Sequence, residues 1–168
     1  QLEKEGRFRA ARRAWETLFI WWPLAPEAPE AVRRLAERLA ADGKQEDAFR
    51  EFQYLLDLYG STLSNSADVI ERQMRLAQTV TESRTARWLL GGFSRHDVAI
   101  PLFLQVASNA PRTSLAFEAG LKAAELFEKK RQQEQAIGLY YDLMAGHPAA
   151  SRQADIPFRI LRAQIELC

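Results

Sequence analysis

One pattern recurs along this chain at fixed spacing: an alanine, an aromatic four residues later, an aliphatic residue three further on, and then a helix breaker. It reads Ala11, Trp15, Leu18, Pro23; then Ala48, Phe52, Leu55, Gly60; then Ala99, Phe103, Val106, Pro111; and finally Ala136, Tyr140, Leu143, Pro148. Steps of four and three place the first three residues on one face of an α-helix. The fourth ends that helix, because proline lacks the N–H donor and glycine favours the turn. The alanines and the breakers both recur at intervals of 37, 51 and 37 residues. Two equal periods around a longer one mean three repeats with an insertion of about 14 residues in the middle one. That insertion is shared between the loop before Ala67 and residues 82–97, where Gly91 and Gly92 suit a tight turn.

The spacing predicts helices over residues 1–22, 30–42, 45–59, 67–81, 97–109, 114–130 and 132–146, with a last one from 151. Val32, Leu35, Ala36 and Leu39 give the second helix its apolar face, and Asp42 with Gly43 stops it. Ala48, Phe52, Leu55 and Leu58 line the third helix, and Ser66 or Asp68 is placed to cap the fourth. Pro101 is expected in the first turn of its helix, where it costs little. Trp21 and Trp22 are expected to pack against the following helix. The fold class is therefore all-α, an α-solenoid of antiparallel helix hairpins with about seven helices, each hairpin stabilised by stacking on its neighbours. Read as one domain over 1–168, the chain begins with the second helix of a partial repeat (1–23). Repeats over 30–60, 67–111 and 114–148 follow, and 151–168 is the first helix of a further one.

Composition narrows the chemistry. A net charge of +1 gives no pull toward nucleic acid. The basic run Arg7, Arg9, Arg12 and Arg13 is offset by Glu3, Glu5 and Glu16 at helical spacing, as on a solvated face. The single cysteine, Cys168, allows neither an internal disulfide nor a cysteine-based metal site. No apolar stretch reaches the length of a membrane span. Zinc-ligand spacing, a P-loop and a nucleophile elbow are absent. His96 stands between Arg95 and Asp97 at a helix start, and His147 precedes Pro148 at a helix end. Both read as turn and capping residues. The sequence thus predicts no enzyme, no cofactor and no bound metal. A start at Gln1, without a leader, reads as a processed or trimmed piece.

These residues resemble the tetratricopeptide repeat. Leu35, Ala36, Leu39, Gly43, Ala48 and Phe52 match its small and large columns, with Gly60 in place of the closing proline; Ala124, Phe127, Ala136, Tyr140 and Pro148 match again, and Gly6, Ala11, Trp15, Leu18 and Pro23 look like the second half of an earlier repeat. The resemblance implies a right-handed superhelix. A narrower one covers residues 69–113, with RLAQ, WLLGGF and AIPLFLQVASNAPR, and the helix GLKAAELF at 120–127. These look like the BamD-like lipoproteins of bacterial outer-membrane assembly. That likeness implies a periplasmic, outer-membrane-associated scaffold that assists insertion of β-barrel proteins. Its partners would be a barrel-assembly protein or unfolded barrel segments. The membrane would be reached only through a lipid anchor upstream of Gln1. The alternative is a general tetratricopeptide adaptor in another complex.

In such a stack the first helices of the hairpins line the concave face. By register that face carries Glu30, Arg33, Glu37, Gln78, Glu118, Glu125 and Glu128, a mixed to acidic set suited to an extended, basic or amphipathic segment. Tetratricopeptide domains that clamp a carboxylate present asparagine and lysine there. Glu37, Gln78 and Glu125 stand instead, which argues against that subclass. The insertion contributes Trp88, Phe93 and Arg95 as candidate partner-facing residues.

Overall fold

A computed structural model describes residues 8–82 and 95–167, and every described element is a helix. Among the described residues nine helices follow in order: α1 (Phe8–Trp21), α2 (Ala28–Ala41), α3 (Gln45–Tyr59), α4 (Ser66–Glu82), α5 (Arg95–Asn109), α6 (Ser114–Lys129), α7 (Gln133–Gly146), α8 (Pro148–Gln153) and α9 (Ile156–Leu167). Seven match the spans predicted between residues 1 and 146, and the region of the last predicted span holds two helices. Asp155, in the left-handed region at φ 52°, separates the short α8 from α9. The predicted irregular segment lies almost wholly outside the described residues, and Trp88, Gly91, Gly92, Phe93 and Cys168 with it.

Local chemistry sets the helix boundaries. Pro29 sits in the first turn of α2, where its missing N–H has no intrahelical partner to lose. At the other end Gly43 takes φ 75°, so that its N–H reaches the Ala40 carbonyl at 3.1 Å and Lys44 reaches Leu39 at 2.9 Å. The repeat register places Arg131 in the same slot after α6, and it too is left-handed, at φ 58°. A side chain there is strained, so Arg131→Gly is expected to raise stability by roughly 0.5–1 kcal/mol, read as a higher urea midpoint. Thr113 caps α6 by accepting from the Ala116 N–H at 3.1 Å, a cap the spacing argument did not anticipate. One expectation fails: α5 begins at Arg95, so Pro101 lies inside the helix rather than in its first turn. It therefore leaves the Asp97 carbonyl without its i+4 donor.

The chain divides into two compact units, residues 1–76 and 77–168. In the first, α1 packs on α2 and α2 on α3. Val32, Leu35 and Ala36 of α2, and Ala48, Phe52 and Leu55 of α3, have almost no solvent access. Two polar contacts tie the start of α4 into this unit. Gln73, fully buried, donates to the Gln53 side-chain oxygen at 2.9 Å, and Arg72 pairs with Glu37 at 3.3 Å.

In the second unit α5 packs on α6, α6 on α7 and α7 on α9. Ala124, Ala136, Tyr140, Leu143, Ile156 and Ile160 form its core. Small residues set the α6–α7 approach: a Cβ on Gly120 would stand 2.8 Å from a Leu143 methyl. All four marker alanines are buried, and the wedge residues Phe52, Phe103 and Tyr140 are too. Burying each such side chain is worth roughly 1.5–3 kcal/mol. Trp15 and Leu18, the same columns in the first copy, are half-buried.

Two apolar expectations are overturned. Trp21 and Trp22 are 73% and 61% exposed, not packed on the next helix, and Leu58 stands 49% exposed although the face rule places it inside. All three lie at helix ends, where a face loses its neighbour.

Candidate protein-binding surface

The candidate residues sit on α2, α4 and α6, the first helices of their repeats. On α2, Arg33 lies between two acids one turn away on either side. It reaches Glu30 at 2.6 Å and Glu37 at 3.2 Å, as i,i+3 and i,i+4 spacing allows. Arg34 takes the other Glu30 oxygen at 2.8 Å. Burial by itself would raise the Glu30 carboxyl, but the hydrogen bonds and charges of Arg33 and Arg34 outweigh it and hold Glu30 below its ordinary range. A depressed carboxyl contributes stability above its unfolded pKa of about 4.3 and loses it as pH falls through the lower folded value. Glu30→Gln is therefore expected to flatten the acid limb of the stability profile below about pH 4. An unchanged limb in acid-titrated thermal melts would contradict the pairing.

Glu37 is also held from the next first helix by Arg72, which reaches it at 3.3 Å while bonding Asp68 at 2.8 Å. The same device recurs in the second unit. Arg159 of α9 pairs with Glu125 of α6 at 3.0 Å, and Arg162 with Glu128 at 2.8 Å, each 34 residues apart. Tyr140 joins this lattice from below. Its hydroxyl donates to Glu128 at 3.1 Å and accepts from Arg159 at 3.4 Å. Burial, the largest influence, pushes the phenol up to about 12. Lys122 adds a looser contact to Glu125 at 3.7 Å. Glu118 is exposed on the same helix, and Gln78 is half-buried near the end of α4.

The structure thus brings Glu30, Arg33 and Glu37 together on one helix, and Glu125 with Glu128 on another. Each acid of these two groups has an arginine partner. Within each unit these residues form a lattice of opposite charges, more balanced in sign than the mixed to acidic set read from the sequence. The arginines Arg72, Arg159 and Arg162 escaped the sequence reading, although opposite charges about one repeat apart were a legible signal. Because these pairs are part-exposed, each contributes little: Arg162→Ala is expected to cost less than about 1 kcal/mol, and less still at high salt.

The remaining candidates divide. Trp88 and Phe93 lie outside the described residues. Arg95 is exposed at the start of α5 and donates to the Glu82 carbonyl at 3.4 Å. Beside it, His96 is half-buried. Burial first, then the charges of Lys129 and Arg95, hold its imidazole below the ordinary value against the opposing pull of Asp97. Asp97 is itself paired with Lys130. His147 stacks edge-on against Phe117 at 5.5 Å. Among the described residues no three His, Cys, Asp or Glu side chains gather as a metal would require, and no helix is long and apolar enough to cross a membrane.

Spacing and helix pairing together define a class: an all-α chain of tetratricopeptide-like helix hairpins. No protein-family model matches the chain, and no curated protein does. Among solved structures it is similar to a Podosopora anserina protein described as a kinesin light chain with nearly identical TPR-like repeats. The identity is 18%, over 99% of this chain and 86% of that one, with a TM-score of 0.39. A single-substitution variant of the same protein gives 17% identity at the same coverage and TM-score. The hairpin repeat stands on this chain's own spacing and helix pairing, not on that likeness.

Proposed function

We propose that this chain is a non-enzymatic scaffold whose first-helix face receives a segment of a partner protein, and that it serves as a BamD-like periplasmic factor in outer-membrane β-barrel assembly. The observation that carries the scaffold reading is that each unit, taken by itself, carries a charge lattice on a first helix, α2 in the one and α6 in the other. Its partly exposed carboxylates and guanidiniums exchange partners at small cost, so an incoming chain can replace an internal ion pair with one of its own. Since the lattice is balanced in sign, it suits an amphipathic or extended segment better than a purely basic one. The assignment to β-barrel assembly is supported by the residues at 69–113 and 120–127 that resemble BamD-like lipoproteins.

The test is capture in the native cell. A photo-crosslinker in place of Glu118, exposed beside the lattice, is expected to trap an envelope protein, with a barrel-assembly component among the products. Recovery of cytosolic proteins alone would move the chain to the general-adaptor reading. A native gene lacking a signal segment and acylated cysteine upstream of Gln1 would remove the lipoprotein reading outright.

A further inference from the structure

Ile20, Trp21 and Leu24 stand at the junction of α1 and α2, exposed by 62%, 73% and 96%. The repeat register shows what these positions hold elsewhere. Ile20 corresponds to Asp57, Ser108 and Ala145; Trp21 to Leu58, Asn109 and Gly146; and Leu24 to Ser61, Arg112 and Ala149. The counterparts at the ends of α3 and α7 are all exposed, although α2 and α6 are in place beside them. Nothing lies within 4 Å of a Cβ built on Gly146. At the end of α5, Ser108 and Arg112 are exposed and Asn109 is half-buried, so solvent is the prevailing environment of these columns even in a complete hairpin. A further helix packed on α1 as α6 packs on α7 would leave them in water. Trp22 is a different case, since its counterparts Tyr59 and His147 are buried and half-buried.

Only the first copy fills all three solvent columns with large apolar groups. The surrounding chain is equally unusual: residues 17–26, TLFIWWPLAP, carry no charge at all. Ile20 and Trp21 are about 100° apart around the helix axis, and Leu24 lies beyond the helix end. They form a knob rather than the single stripe that a partner helix or groove would read. Neighbouring contacts hold this knob in place. Phe19 packs on Tyr54 with ring centroids 5.6 Å apart, and the Tyr59 hydroxyl donates to the Pro23 carbonyl at 2.9 Å. An uncharged apolar tip that includes tryptophan, on a rigid support, matches the interfacial zone of a lipid bilayer.

We infer that Ile20, Trp21 and Leu24 form a membrane-contacting tip that inserts shallowly into the interface of an uncharged bilayer. The inference is independent of the scaffold's partner and of any anchor. Insertion buries the side chains without needing a basic patch, so it is indifferent to salt.

The experiment is co-sedimentation of the whole chain with phosphatidylcholine vesicles. A triple variant, Ile20→Ser, Trp21→Asn and Leu24→Arg, gives the tip the residues of its α5 counterpart. Wild type is expected to partition onto the vesicles equally at low and high salt, and the variant to lose roughly tenfold or more. Circular dichroism verifies that the variant is folded. If it is not, Leu24→Ser alone, in the turn, takes its place with a smaller loss. Absence of wild-type partitioning, or equal partitioning by a folded variant, overturns the inference. So does self-association of wild type that the variant abolishes while vesicles stay unbound, which would make the tip a contact between two copies.

Discussion

Tyr140→Ala is expected to destabilise the protein by roughly 3–5 kcal/mol, the range for a fully buried aromatic whose cavity cannot close. Tyr140 has no solvent access and touches three elements: its own helix, Glu128 on α6 and Arg159 on α9. The loss is therefore both packing and the one hydroxyl that links the two charged helices. Domains of this kind are held by only about 5–15 kcal/mol in all, so urea denaturation should show a large fall in midpoint. Tyr140→Phe separates the two parts. It keeps the ring and is expected to cost only about 1 kcal/mol, the worth of the hydrogen bonds less their desolvation. The phenol also adds an alkaline signature. Its folded value is pushed up to about 12, above roughly 10 for an unfolded tyrosine. Its contribution is intact below the unfolded value and is lost as pH rises through the folded one. The Phe variant should therefore lose less stability than wild type over that window. A midpoint unmoved by Tyr140→Ala would mean that the repeat register is misplaced.

Phe52→Ala should cost a similar 3–5 kcal/mol, because Phe52 occupies the same column in the first unit at 2% exposure. The informative comparison is Trp15→Ala. Trp15 is larger and stands in the same column, but it is half-buried, so its removal should cost clearly less. Equal losses would show that residue size, rather than the closed hairpin around the column, sets the energetics. Thermal melts of the three variants under one buffer decide between these outcomes.

The register was legible because it is written in residues with few alternatives. A buried alanine at a helix crossing, an aromatic one turn later and a breaker after it each have a single physical use. The surface was less legible. Glu30, Glu37, Glu125 and Glu128 belong to a set that reads as mixed to acidic, because the only arginine counted with them was Arg33. Arg72, Arg159 and Arg162 come from the neighbouring first helix, and periodicity within one helix says nothing about which side chains meet across two. Trp22 and Leu58 were assigned inward by a face rule that holds in the middle of a helix and fails at its end, and Trp21 was expected to pack beside Trp22. Pro101 was placed two residues too near the start of its helix because the residues that open α5 carry no apolar mark.

The sequence by itself determined the all-α class, the 37-residue hairpin period and the identity of the wedge residues. Those follow from backbone sterics and from burial at helical spacing, which act locally along the chain. Only the tertiary structure decided that Glu37, Glu125 and Glu128 are paired from a neighbouring helix, that Tyr140 carries a hydroxyl bridge as well as a ring, and that the end of α1 points its apolar groups into solvent. Each of these depends on which helices lie side by side, a distance in space that residue spacing does not contain.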